Sequence, residues 1–161
     1  MYDTSYDSPL GPLLLTCTDQ ALTGLFLNRK AEKQDTHPIL IQTGKWLDAY
    51  FRGENPVLDI PLQTEGTPFQ QRVWTLLRNI SYGEVRTYGD LAREMAYITG
   101  KEKMSAQAVG QAVGSNPIGI LIPCHRVVGI KGKLTGYAWG LDKKKCLLGL
   151  EGRQIENNTV L

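Results

Sequence analysis

Histidine is scarce in this 161-residue chain, with two copies, and cysteine is barely commoner, with three. Cys17, Cys124 and Cys146 are odd in number, widely spaced, and include no Cys-x-x-Cys pair. That pattern excludes a disulfide framework and a zinc site, and points to the reducing cytoplasm. No apolar run approaches the roughly 20 residues that cross a bilayer, so no membrane partner is expected. The N-terminus, Met1 to Asp7, is polar and acidic and lacks the apolar core of a secretory signal. With 42% hydrophobic and 21% charged residues, the chain is neither disordered nor fibrous. A globular protein of one ordinary domain, or two small ones, is what remains.

The small net charge of +2 hides an asymmetry. Residues 1–65 hold 5 Lys/Arg and 9 Asp/Glu, whereas residues 66–161 hold 13 and 7. A basic half beside an acidic half points weakly to a polyanion bound by the second half, and an ordinary solvated surface accounts for it equally well. The polar stretch Gln63–Pro68, with Gly66 and Pro68, is the boundary: 1–65 is expected as an α/β supporting part and 66–161 as a mainly helical part. The fold class is therefore α+β.

In the first part Leu13–Cys17 and Leu22–Leu27 read as a hairpin, and Val57–Leu62 as a further short strand. Trp46, Leu47, Tyr50 and Phe51 mark one face of a helix ending at Gly53. In the second part Thr67-Pro68 opens a helix with Phe69, Val73, Trp74, Leu76, Leu77 and Ile80 as its apolar stripe, broken by Gly83. Another helix starts at Thr87 and runs to about Tyr97. A polar connector follows, then a helix of small residues from Ser105 to Gly114, whose backbone is almost bare. Helix, connector and bare helix in a basic half suggest a helix-turn-helix with 105–114 as its reading element. Tight packing in a core favours the same small residues.

The residues that carry chemistry are Leu121-Ile122-Pro123-Cys124-His125-Arg126-Val127-Val128. A cysteine stands after a proline that can neither extend a helix nor donate to a sheet, and before one of the two histidines. Since a free thiol is mostly protonated at neutral pH, a neighbouring imidazole or guanidinium is the usual way to raise its thiolate fraction. Cys124 is thus expected as an activated nucleophile at the end of a buried strand. A cysteine phosphatase is excluded, because the arginine it needs six residues on is Ile130. Nothing beyond Cys124 and His125 supports a cysteine protease. Cys17 and Cys146 are expected to be packing residues.

Pro123-Cys124-His125-Arg126-Val127 resembles the acceptor motif of the O6-alkylguanine-DNA alkyltransferases. Gly136-Tyr137, Gly140, Lys144, Leu147-Leu148 and Glu151 downstream, and Thr67-Pro68-Phe69, Thr87-Tyr88, Ala108-Val109-Gly110 and Asn116-Pro117 upstream, fit the same family. The resemblance implies stoichiometric repair without metal or organic cofactor. A monomer would bind double-stranded DNA in the minor groove and flip out an O6-alkylguanine, with O4-alkylthymine a second candidate substrate. The alkyl group would pass irreversibly to Cys124. By the same resemblance His125 acts as base through a water, Glu151 orients it, and Asn116 braces the turn. Tyr88, with Lys144 nearby, protonates the departing guanine. The carbonyls of Cys124 and Val127, the N–H groups near Tyr137 and Ala138, and the Tyr137 ring would hold the base. Ser105, Ala106, Gln107 and Gly110 would face DNA. Arg126 reads as structural, paired with an acidic group.

Three departures from the family pattern stand out. Gly119 replaces a commonly bulkier residue or proline, which implies room for adducts larger than methyl. The connector up to Met104 is several residues longer than usual and adds Lys101 and Lys103. Gln107 stands where many members have the arginine that fills the gap left by the flipped base. The closest rival reading is a relative that senses damage without transferring the alkyl group, but such proteins lack the cysteine. Glutamine lacks the charge and flat stacking surface of arginine. Gln107→Arg is therefore expected to tighten binding to lesion-bearing duplex by about tenfold, the worth of one charge-assisted hydrogen bond. Titration of a labelled duplex measures it, and equal affinities would refute the role assigned to position 107.

Overall fold

Leu13, Leu14 and Leu15 are all buried, and a three-stranded antiparallel sheet forms around them. The computed structural model describes every residue, Met1–Leu161. Strands β1 (Tyr2–Ser8), β2 (Gly11–Cys17) and β3 (Leu22–Leu27) lie in the order β1-β2-β3. The central β2 pairs Leu13 with Tyr6 on one side and Leu27 on the other. β1 is invisible to periodicity because Tyr-Asp-Thr-Ser-Tyr-Asp-Ser has no apolar alternation. It becomes a strand only because the unpaired edge of β2 offers it a ladder.

Helix α1 (Pro38–Phe51) starts eight residues before the apolar stripe read from sequence. Ile39, Leu40, Thr43, Leu47 and Tyr50 form its buried face, and the Tyr6 hydroxyl donates to Asp48 at 2.6 Å. The expected strand over 57–62 does not form. Only Leu62 makes a bridge, to Leu22, since Pro56 and Pro61 flank too few donors for a longer ladder. Residues Met1–Glu65 and Pro117–Leu121 make one compact unit, and Gly66–Asn116 with Ile122–Leu161 the other. The short return segment 117–121, which lies within 66–161 in sequence, joins the first unit because Leu25 N–H donates to Pro117 O at 2.9 Å.

In the second unit the helix starts follow local chemistry. α2 (Pro68–Arg78) opens on a capping box between Thr67 and Gln70, and α3 (Tyr88–Thr99) on one between Thr87 and Asp90. Gly100, in the left-handed conformation, closes α3. After the connector, Ser105 caps α4 (Ala106–Gly114). α4 buries Val109, Ala112 and Val113, and Trp74 Nε1 of α2 donates to Ala112 O at 2.8 Å. Its opposite side, with Ala106, Gln107, Gln111 and Gly114, is exposed. Small residues here serve both a close helix packing and an open face.

Strands β4 (Arg86–Thr87) and β5 (Val127–Val128) pair in parallel, Thr87 opposite Val128. This short pairing ties the start of α3 to the chain just after the cysteine. Cys124 itself does not end a buried strand as expected. It opens a single 3-10 turn, Cys124–Arg126, entered through a tight turn at Pro123 in which Cys124 N–H donates to Ile122 O at 2.8 Å. Proline favours that turn and cannot supply a ladder donor. Helix α5 (Leu141–Leu150) and the hairpin β6 (Ile155–Glu156) with β7 (Thr159–Val160) complete the unit. No helix is long and apolar enough to cross a membrane. Cys17 is buried in β2, but Cys146 is exposed on α5, so it does not pack in the core as expected; Leu147 and Leu148 occupy the inward positions there.

Candidate active site

Helix α5 brings two charged residues inward. Lys144 and Glu151 are seven apart, two turns of helix, and so project from one face. Lys144 is fully buried and Glu151 is 5% exposed. Against this helix packs the turn with Cys124, His125 and Arg126, all buried.

Four hydrogen bonds converge on the Glu151 carboxylate. Oε2 lies 2.7 Å from His125 Nε2 and accepts from Arg126 Nη2 at 2.9 Å. Oε1 accepts from Arg126 Nε at 2.7 Å and from the Gly83 N–H at 3.2 Å. Gly83 can approach because its φ of +80° suits glycine, and a Cβ there would sit 3.3 Å from the Glu151 carbonyl. Arg126 Nη1 also donates to Ile80 O at 2.7 Å. Burial alone would raise the Glu151 carboxyl, but the hydrogen bonds from His125 and Arg126 hold it well below the usual carboxylate range. Burial pushes His125 down, against the pull of Glu151, so the imidazole is neutral at neutral pH. With Nε2–H donating to the Glu151 carboxylate, the lone pair lies on Nδ1, which is buried and has no protein partner.

Burial also pushes the Cys124 thiol up, while hydrogen bonds with Asn116 and Tyr137 and the charge of Lys144 act the other way. The resting group is therefore a protonated thiol, which needs a base to activate it. Desolvation outweighs the neighbours. Asn116 also donates from Nδ2 to Ile122 O at 2.7 Å, which braces the chain entering the turn.

Cys124 opens onto a cavity of about 80 Å³ lined by Tyr88, Gly110, Val113, Gly114, Gly136, Tyr137 and Ala138. Two groups converge on one carbonyl there: Gly136 O accepts from Tyr88 OH at 3.4 Å and from Lys144 Nζ at 3.2 Å. The Lys144 ammonium also lies 5.8 Å from the Tyr88 ring and 5.9 Å from the Tyr137 ring. Burial pushes Lys144 down to about 8 and raises the Tyr88 phenol, so Tyr88 keeps its proton at neutral pH. No group of three or more His, Cys, Asp or Glu comes together to hold a metal ion.

This arrangement matches a known domain. A family model described as the DNA binding domain of 6-O-methylguanine DNA methyltransferase matches residues 68–153, and one described as its ribonuclease-like domain matches residues 1–64. The chain belongs to the 6-O-methylguanine DNA methyltransferase family. A methylated-DNA–protein-cysteine methyltransferase of Methanosarcina acetivorans is 45% identical over 159 residues, covering 94% of this chain and 99% of the relative. One of Haemophilus influenzae is 42% identical, covering 94% and 86%. Among solved structures, the Mycobacterium tuberculosis protein in complex with DNA is 40% identical with a TM-score of 0.80, covering 94% of this chain and 92% of that one.

Within this methyltransferase fold the expected residues fall into three groups. Cys124, His125, Glu151, Asn116, Tyr88, Lys144, Tyr137 and Ala138 surround one buried turn and its cavity, and Val127 follows that turn with its N–H on Cys124 O. Ser105, Ala106 and Gln107 lie at the exposed start of α4, and Gly110 lines the cavity one turn further on. Gly119 lies in the first unit, where its N–H reaches Leu25 O at 3.4 Å. Sequence reasoning treated Gly83 as a helix breaker and missed it as a donor to Glu151. It also missed the Gly136 carbonyl, which no side chain announces.

The cluster predicts an acid-sensitive fold. His125 and Glu151 both have folded values below their ordinary 6.5 and 4.5, so the unfolded chain binds more protons and stability rises with pH. Lowering the pH should therefore destabilise the protein first below 6.5, as His125 must stay neutral when folded, and again below 4.5, as the Glu151 contribution is lost. Thermal melts followed by circular dichroism at pH 7, 5.5 and 3.5 check this, with the first step absent in His125→Gln. A melting temperature that rises on acidification would contradict the assignment.

Proposed function

We propose that this protein repairs double-stranded DNA by moving the alkyl group of O6-alkylguanine onto Cys124. Membership of the family supports alkyl transfer to a cysteine. The observation that supports Cys124 as the acceptor is a buried thiol facing a small cavity, with a neutral histidine held by a carboxylate in the same turn.

The chemistry follows from the protonation states. The Cys124 proton leaves through a water to Nδ1 of His125, whose imidazolium the Glu151 carboxylate stabilises. The thiolate sulfur attacks the alkyl carbon, a carbon–sulfur bond forms, and the carbon–O6 bond breaks with its electron pair moving into guanine. Guanine takes a proton from Tyr88, and the nearby ammonium of Lys144 stabilises the phenolate until the imidazolium proton restores it. One proton leaves the thiol and one reaches guanine, so the products are neutral guanine and a thioether. No group in the site can reverse a thioether, which makes each molecule act once. No cofactor takes part.

The base must leave the stack to reach a buried sulfur, at a cost of a few kcal/mol that is smaller for a weakly paired lesion. α4 supports minor-groove docking through its bare outer face from Ser105 to Gly110, with the protein acting as a monomer in the cytoplasm. Mass spectrometry after mixing with a duplex carrying one O6-methylguanine tests the proposal. One added methyl on the peptide containing Cys124, absent in Cys124→Ala, is expected. Lesion-specific binding without any mass change would instead identify a damage sensor.

A further inference from the structure

We propose that Arg126 sets the proton affinity of His125: by occupying both oxygens of Glu151 it keeps the imidazole neutral and in one tautomer, ready to accept the thiol proton. This rests on the reading of His125 as the base. In that reading His125 and Glu151 suffice, and Arg126 is a bystander. The geometry gives it more to do.

A carboxylate has about four lone-pair positions, and here four hydrogen bonds fill them: two from Arg126, one from Gly83 and one from His125. The bonds from Arg126 and Gly83 hold Glu151 as a carboxylate, a far weaker base than the imidazole. The proton in the His125–Glu151 hydrogen bond therefore stays on Nε2, and the lone pair on Nδ1. The charges lead to the same result. Arg126 already neutralises Glu151, so protonating His125 would leave a buried cluster with net positive charge. Lys144, from α5, faces the same group and adds to the repulsion. Cys124, in the same turn, is an uncharged thiol at rest, and Tyr82 packs its ring 5.8 Å from the guanidinium as a neutral phenol. A histidine paired with a carboxylate and lacking the arginine would form an ion pair and lose its basic nitrogen.

Arg126 is thus a positioning residue, acting on the reaction through Glu151 and His125. A purely structural brace of the turn, which the bond to Ile80 O would also provide, predicts lower stability without a change in His125 titration. Nuclear magnetic resonance of the imidazole nitrogens separates the two, and assignment is simple because His37 is the only other histidine. Arg126→Gln keeps an N–H for Glu151 and removes the charge. It should raise the His125 midpoint by about one pH unit or more. Arg126→Lys keeps the charge and loses the fork, so its midpoint should stay near that of the unsubstituted protein. An unchanged or lowered midpoint in Arg126→Gln overturns the proposal. If that variant does not fold, a rise of a full unit in Arg126→Lys overturns it equally. The acid limb of single-turnover alkyl transfer should move with the midpoint. A shifted midpoint with an unshifted limb would uphold the control of His125 by Arg126 and defeat the reading of His125 as the base.

Discussion

A single buried carboxylate holds the second unit's chemistry in place. Glu151 receives hydrogen bonds from the turn at Gly83 and from His125 and Arg126 of the cysteine turn, so one residue ties two distant stretches of chain to the end of α5. Such a cluster is poor evidence of net stabilisation, because taking its charges out of water offsets most of the attraction. Its value is orientation. Removing one partner would strand the other charge, at about 3–5 kcal/mol, a large share of the 5–15 kcal/mol that holds a typical domain folded. The cluster therefore tolerates little change, and the position of the cysteine turn follows from it.

The same burial makes the nucleophile quiet at rest. Desolvation keeps Cys124 a thiol, and a thiol is far less exposed to stray alkylation or oxidation than a thiolate. In the proposed mechanism, reactivity then depends on His125, whose lone pair is fixed before any substrate arrives. If each molecule acts once, as proposed, a resting thiol conserves the supply. The exposed Cys146 has none of this machinery around it.

Small residues do two jobs on one helix. In α4, Val109, Ala112 and Val113 pack inward while Ala106 and Gln107 stay open and Gly110 borders the cavity beside Tyr88. One short element thus joins the open surface proposed for DNA to the pocket proposed for the base. The backbone also takes part in that pocket: the carbonyl of Gly136, a lining residue, gathers the Tyr88 hydroxyl and the Lys144 ammonium.

Much of this was legible in the chain. Thr67-Pro68 and Thr87 with Asp90 start helices by local hydrogen bonding, which requires no distant partner. Leu13–Cys17 and Leu22–Leu27 pattern as strands, and the cysteine and histidine announce themselves by chemistry. Other features depend on contacts between residues far apart in sequence. β1 is a strand only beside β2. Residues 57–62 are not a strand because no neighbour runs along them. Cys124 sits in a 3-10 turn, with its thiol raised rather than lowered, because burial is a tertiary quantity that no local motif states. By itself the sequence determined the helix starts, the central hairpin and the reactive pair, since those rest on neighbours along the chain. Only the tertiary structure decided that Gly83, Arg126 and His125 share one carboxylate, because a buried charge takes whatever donors the fold brings within reach.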